Sequence, residues 1–287
     1  MSFLIELLQS EQLTQIVDIG ANPIDGDPPY QKMLQNKQCQ LIGFEPQEQA
    51  LRALLLSKTE LETYLPYVIA DGSVQQLHIC RGSGMTSLLE PNHAVLSVFD
   101  AFLPFAEVIK TTRLQTKRLD DVTEVRHIDF LKIDIQGSEL QVFQSGREKL
   151  KTAVVIQTEV SFMTLYQNQP GFGEVDIELR AQGFVPHAFA AVKKWPIAPM
   201  VVNNHPAHAL NQLLEADLVY VRDFSQPDAM SDEQLKQLAI IAHEVYQSWD
   251  LTLRCLMLLQ QRDAQQYVDV QQRYVDYLSM SLNNEPK

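Results

Sequence analysis

Residues 16–30 read IVDIGANPIDGDPPY. An apolar run carrying one acid, Asp18, ends in the small-residue turn Gly20-Ala21-Asn22, and an insert with two acids and two adjacent prolines follows. This order describes a buried strand that hands its carboxyl end to a turn, the place where open α/β sheets bind ligands. The turn lacks the second and third glycines of G-x-G-x-x-G, which let a backbone close on a pyrophosphate at a helix N-terminus. Pro28 and Pro29 suit the first turn of the helix expected next.

The alternation continues along the chain. Strands are expected at residues 16–19, 40–44, 67–70, 74–80, 130–135, 154–158, 184–189 and 217–221, and helices at 29–36, 47–57, 138–145 and 174–182. Strands alternating with helices build parallel βαβ units covered on both faces. After Pro227 the character changes: Leu235, Leu238, Ala242, Val245, Trp249, Leu253 and Leu256 recur at spacings of three and four, and Tyr267, Val270, Tyr274 and Tyr277 repeat the pattern. Ser231 is the expected N-cap of this helical tail, with Glu233 and Gln234 behind it. The domain organisation expected is therefore 1–226 followed by a C-terminal helical extension, 227–287. The apolar stripe of the extension packs on the parent domain or forms a homodimer interface, and its spacing leaves both open.

Composition sets outer bounds. With 287 residues, 45% of them hydrophobic and 21% charged, the chain can bury one large core. A formal net charge of −13 argues against nucleic acid as a partner, because phosphate binding requires clustered Lys and Arg. Cys39, Cys80 and Cys255 are scattered and show no metal-ligand spacing, so they read as reduced thiols of a cytoplasmic protein. The first fifteen residues form an amphipathic helical lead-in without the basic start of a signal peptide. No segment reaches the roughly 20 apolar residues of a membrane span.

Acids stand at the expected strand ends: Asp18, Glu45, Asp71, Asp134 and Glu159. Glu45, about 20–25 residues past the turn, is placed to accept hydrogen bonds from both hydroxyls of a ribose. Dinucleotide and nucleoside sites share that device. Asp25 and Asp27 separate the two, since acids beside the turn disfavour a pyrophosphate. A nucleoside ligand carrying an ammonium and a sulfonium, S-adenosylmethionine, matches the charge.

Together, Asp18-Ile-Gly-Ala-Asn22, Gly43-Phe-Glu-Pro46, Leu131-Lys-Ile-Asp-Ile-Gln-Gly-Ser-Glu139 and Gln157-Thr-Glu-Val160 resemble the FkbM-type methyltransferases. These are class I S-adenosylmethionine-dependent enzymes, mostly O-methyltransferases of sugars or secondary metabolites, and the resemblance spans roughly residues 14–190. It implies an α/β fold, a Rossmann-like class I methyltransferase sheet of about seven strands with helices on both faces and the last strand antiparallel. It also implies that Asp18, Gly20 and Asn22 lie along the methionine moiety, that Glu45 takes the ribose hydroxyls, and that Asp71 meets the adenine amino group.

For the chemistry, Asp134 is the expected general base, with Glu139 and Glu159 orienting the acceptor. Lys132 would hold Asp134 ionised unless strand alternation turns it away. Structural readings stand beside these: Asp18 capping its turn, Asp71-Gly72 as a plain turn, Glu139 favouring its helix N-terminus. The insert departs from the family pattern, which makes Asp25 and Asp27 candidate acceptor contacts. Trp195 and His205, from the chemically mixed segment 190–211, are the other two. His205 and His208 read as surface-loop residues, and no metal is expected. The loop at residues 82–87 is expected to close over the cofactor.

The function expected is S-adenosylmethionine-dependent O-methylation of a hydroxyl on a small molecule, sugar or glycan precursor. A nicotinamide-dependent oxidoreductase and a non-catalytic scaffold recruiting a partner through the C-terminal helices are the competing readings.

Overall fold

A computed structural model describes residues 2–10, 12–23, 26–99, 102–205 and 207–283. The first half runs α1 (Phe3–Leu8), β1 (Thr14–Ile19), α2 (Gln31–Gln35), β2 (Cys39–Phe44), α3 (Glu48–Ser57), β3 (Glu62–Leu65), β4 (Val74–Cys80), α4 (His93–Leu96) and β5 (Val108–Gln115). The second half continues through β6 (Phe130–Ile133), α5 (Glu139–Ser145), α6 (Arg147–Leu150), β7 (Val155–Ser161), α7 (Phe172–Ala181), β8 (Phe184–Trp195) and β9 (Gln212–Arg222). Three helices close the chain: α8 (Asp232–Glu244), α9 (Trp249–Arg262) and α10 (Val270–Asn283).

Seven strands form one sheet in the order β3-β2-β1-β6-β7-β9-β8. β1, β2, β3, β6 and β7 pair in parallel, and β9 enters antiparallel between β7 and β8. The expected seven-stranded Rossmann-like sheet with an antiparallel last strand is thus present. Successive side chains of a strand face opposite ways, and the two faces feed two cores. Ile16, Phe130 and Val155 point into one cluster, while their neighbours Val17, Leu131 and Ile156 point into the other.

The second of these clusters is covered by α5 and α7, through Val142, Phe143, Val175 and Leu179. On the first face α1 and α2 have only six and five residues, too short to cover five strands. The tail completes this layer: Leu235, Leu238 and Ile241 of α8 and Cys255, Leu256 and Leu259 of α9 join Ile16, Phe130, Val219 and Val221 in one cluster. Ser231 caps α8 as expected, its Oγ accepting from Gln234 N at 3.2 Å and Gln234 Oε1 accepting from Ser231 N at 3.0 Å. Among the described residues, the large exposed apolar side chains of the last part of the tail are Val268, Val275 and Met280.

One expected strand moves. Residues 67–70 are not a strand; β3 lies earlier, at Glu62–Leu65. The apolar segment Val68-Ile69-Ala70 is instead a buried link whose backbone bonds to Lys117, with Ala70 N donating to Lys117 O and Lys117 N to Val68 O, each at 2.9 Å. Hydrophobicity reported its burial correctly, but the sheet edge was taken by the more polar Glu-Thr-Tyr-Leu. A second addition is β5, which pairs antiparallel with β4 as a separate two-stranded ribbon. Cys80, Met85, Leu96 and Phe99 form a small third core beneath it.

Leu238 is fully buried at the joint between the tail and the sheet. Leu238→Ala is expected to destabilise the protein by about 2–5 kcal/mol through lost burial and a residual cavity. Urea unfolding followed by circular dichroism and tryptophan fluorescence should give one shared transition, shifted to lower urea. Two separated transitions would show that the tail is not part of the cooperative core.

Candidate active site

A cavity of about 570 Å³ lies along the carboxyl ends of β1, β2, β6 and β7, where the reversal of strand order opens a crevice in such sheets. Asp18, Gly20, Asn22, Glu45, Asp27, Asp134 and Glu159 all line it. Among the expected site residues, Asp71, Glu139, Trp195 and His205 do not, and Asp25 lies outside the described residues.

The turn after β1 is shaped by close packing. Gly20 sits at φ +86°, and a Cβ there would come 2.0 Å from Asp134 O. Only glycine satisfies both the left-handed backbone and that approach. Asp18 and Lys132 are register partners on β1 and β6, and Lys132 Nζ lies 3.5 Å from Asp18 Oδ1 and 3.4 Å from Gly20 O. Lys132 therefore serves Asp18 rather than Asp134 as its direct partner. Burial opposes its charge, but Asp18 and then Asp134 outweigh this and push it up to about 12. Tyr30 Oη donates to Asp18 Oδ2 at 2.5 Å. Burial pushes the Asp18 carboxyl up, against the pull of Lys132 and Tyr30.

Glu45 follows β2 and is 2% exposed, with Oε1 accepting from Gln47 N at 2.6 Å. Burial raises its pKa against that backbone hydrogen bond. The carboxylate is thus fixed at its backbone and directed along the cavity wall.

The far end of the cavity is built around Gln136, which follows β6 at φ +60°. Its Nε2 donates to Asp134 Oδ1 at 2.9 Å and lies 3.5 Å from both Glu159 oxygens. Its Oε1 accepts from Tyr166 Oη at 2.9 Å, and its backbone carbonyl accepts from Ser87 Oγ at 2.7 Å. Glu159 is paired in register with Asp217 on β9, and Lys193 Nζ lies 3.8 Å from Glu159 and 2.8 Å from Glu215. Burial pushes Glu159 well above the ordinary carboxylate range, reinforced by Glu215 and Asp134. Glu215 is raised by burial as well. Sequence reasoning passed over Glu215, Asp217 and Tyr30. The alternation of acids along 215–217 on a strand otherwise apolar was the available signal for the first two.

The loop at residues 82–87 lines the cavity together with Phe102 and Phe105, so the ribbon forms its outer wall. Asp71 is exposed and accepts from Ser73 N at 2.8 Å and Gln75 Nε2 at 2.7 Å, closing the turn into β4. Because β3 ends at Leu65, Asp71 is not at a strand end. Trp195 packs against Phe102, the rings tilted by 40° with centroids 4.4 Å apart, behind the wall rather than in it. His205 is exposed on the loop between β8 and β9, 6.4 Å from the His208 ring.

Glu139 turns back on its own loop: Oε1 accepts from Ile135 N at 2.9 Å and from Gly137 N at 3.2 Å. Oxygens of Asp134, Glu139 and Glu159 lie within 4.8 Å of one another, a spacing that a cation can bridge. Backbone amides, the Gln136 amide and Lys193 already occupy donor positions around them.

Burial raises Glu139 to about 7 from 4.5. The folded state then keeps a proton that the unfolded chain loses. The favourable contribution is complete below pH 4.5, and it is lost as pH rises towards 7. Both backbone donors use Oε1, so Glu139→Gln can retain them without the charge. We expect chemical denaturation to show wild-type stability falling between pH 5 and 8 by on the order of 2–3 kcal/mol more than that of Glu139→Gln. Parallel pH profiles would remove Glu139 as the titrating group.

The family described as the methyltransferase FkbM domain matches residues 18–186. That is more than half of the chain, and the chain belongs to this family of S-adenosylmethionine-dependent methyltransferases. No curated protein matches the sequence. Similar solved structures include magnesium protoporphyrin IX methyltransferase from Synechocystis PCC 6803 with bound S-adenosylmethionine, 10% identical, covering 77% of this chain and 76% of that one at a TM-score of 0.37. Another is precorrin-6y C5,15-methyltransferase from Geobacter metallireducens GS-15, 12% identical over 77% and 86% at a TM-score of 0.36.

Proposed function

We propose that the protein transfers a methyl group from S-adenosylmethionine to a hydroxyl of a small hydroxylated acceptor, a sugar or glycan precursor. The observation that carries this reading is one cavity with two acid-lined halves, Asp18 and Glu45 in one and Asp134 and Glu159 in the other. The first half suits a cationic nucleoside. Asp18, ion-paired with Lys132, and Glu45 both line this half, and in this reading Glu45 accepts from a ribose diol. Asn22 completes this half. An anionic pyrophosphate would face Asp18, Asp27 and Glu45, which disfavours the nicotinamide reading.

When bound, the cofactor supplies a methyl group on a strongly electrophilic sulfonium. The protein's part is to hold the acceptor oxygen in line, exclude water and take up the hydroxyl proton. Asp134 is the base in this reading. It lines the cavity half-buried, and Gln136 fixes its carboxylate with Oδ1 occupied. Glu159, held well above the carboxylate range by burial, keeps its proton and donates a hydrogen bond to the acceptor. Glu139 has a positioning role, since it fixes the backbone of the loop between the two. The wall formed by residues 82–87 excludes water.

Calorimetry with S-adenosylmethionine, S-adenosylhomocysteine and NAD tests the first half. Binding of the two adenosyl ligands alone is expected, and a folded sample that binds neither refutes the proposal. Glu45→Ala is expected to weaken cofactor binding by about 1–3 kcal/mol through loss of a charge-assisted contact. Asp134→Asn should keep that affinity and slow turnover by about 10²–10⁴-fold, measured as S-adenosylhomocysteine release over an acceptor panel. Equal loss of binding and turnover would reassign Asp134 to the cofactor.

A further inference from the structure

A second cavity, of about 530 Å³, adjoins the first, and Pro29 and Gln157 line both. Gln157 stands on β7 two residues before Glu159, and so on the same face of the strand. Its Oε1 accepts from Tyr246 Oη at 2.8 Å. The residue is 8% exposed, and what it exposes lines the two cavities.

The other walls come from β8 and from the turn between α8 and α9. Phe189, 55% exposed, presents its ring on β8. Beside it, His187 Nε2 lies 2.8 Å from Ser248 Oγ. Burial lowers the pKa of His187, so a neutral imidazole lines the cavity at neutral pH. Gln247 in the turn is held at φ +52°, and a non-glycine backbone in that region is kept only where its surroundings impose it. No Lys or Arg is among the described lining residues, and the acid among them, Asp250, accepts from Ser248 Oγ and Leu251 N. The cavity therefore offers an anion no counter-charge. It offers neutral hydrogen-bonding groups beside aromatic faces, the combination that binds a ring with one apolar face and a rim of hydroxyls.

We propose that the second cavity is an acceptor subsite for a glycosyl unit, linked past Gln157 to the unit that is methylated in the first cavity. The acceptor is then at least a disaccharide or a glycoconjugate of that length. Its second ring stacks on Phe189, and its hydroxyls meet the Gln157 amide, His187 and Ser248. This inference rests on the hydroxyl-acceptor reading above.

The test uses the full-length protein, S-adenosylmethionine, and a panel of monosaccharides with their matched disaccharides and trisaccharides, read as S-adenosylhomocysteine release. Binding of S-adenosylhomocysteine is titrated on every sample, so a failed cofactor site is seen separately. An accepted disaccharide is expected to have a kcat/KM at least tenfold above that of its matching monosaccharide. Phe189→Ala and His187→Ala should each bring that ratio towards one, mainly by raising KM for the longer acceptor. A ratio that neither variant moves overturns the subsite. So does methylation of monosaccharides alone, or of no sugar at all, in a sample that binds S-adenosylhomocysteine. A sample that binds no adenosyl ligand refutes the methyltransferase reading, and the subsite with it.

Discussion

Lys132 stands on a central strand with its ammonium 3.5 Å from the Asp18 carboxylate and 3.4 Å from Gly20 O. An ammonium at that depth is tolerated only with a close counter-charge and further hydrogen bonds, because desolvation otherwise exceeds the Coulombic gain. Asp18 in turn is buried and needs more than one partner, which Tyr30 supplies. This three-residue network fixes much of the site at once. It holds β1 against β6 in register, brings the Gly20 carbonyl inward, and anchors the start of α2. The insert between Asn22 and Tyr30 has to span from the turn to that anchor.

Lys193 repeats the device at the other end of the cavity, where it lies between Glu159 and Glu215. Each half thus has one lysine and more carboxylates than that lysine can neutralise. The surplus separates two classes of ligand. Phosphates meet repulsion in either half, whereas a sulfonium, an ammonium or a neutral hydroxyl does not. Burial also pushes Glu159 and Glu215 up.

The parallel sheet was legible because its strands are buried on both faces and so appear as near-continuous apolar runs. The same rule misled at residues 67–70, where an equally apolar segment is buried as a link, and the polar Glu62–Leu65 takes the edge position. Asp71 was drawn into the candidate site by that error of register. Asp18, Gly20, Asn22, Glu45, Asp134 and Glu159 were legible because strand-end position alone puts a residue at the crevice. Tyr30, Glu215 and Asp217 were not. Tyr30 lies twelve residues beyond Asp18, outside any strand end, and Glu215 and Asp217 arrive on an antiparallel strand whose start, not its end, meets the crevice. Pairings across long sequence separations leave no periodicity to read. Glu139 was read both as an acceptor contact and as a helix-terminus acid. Its hydrogen bonds to Ile135 N and Gly137 N show a third arrangement, a carboxyl folded onto its own loop.

The C-terminal helices link stability to the second cavity. α8 and α9 close the face of the sheet that α1 and α2 are too short to cover, and the turn between them places Tyr246, Gln247 and Ser248 against the second cavity. The cofactor half touches none of these residues. Its walls come from β1, β2 and β6, whose geometry the Asp18–Lys132 pair already fixes. Changes in the α8–α9 turn can therefore alter what lies beyond Gln157 without disturbing Asp18 or Glu45, provided the apolar faces of the two helices are kept. The insert at residues 23–29 borders the junction from the opposite side, through Pro29. Two segments outside the central motifs, the α8–α9 turn and the end of the insert, thus meet at one opening.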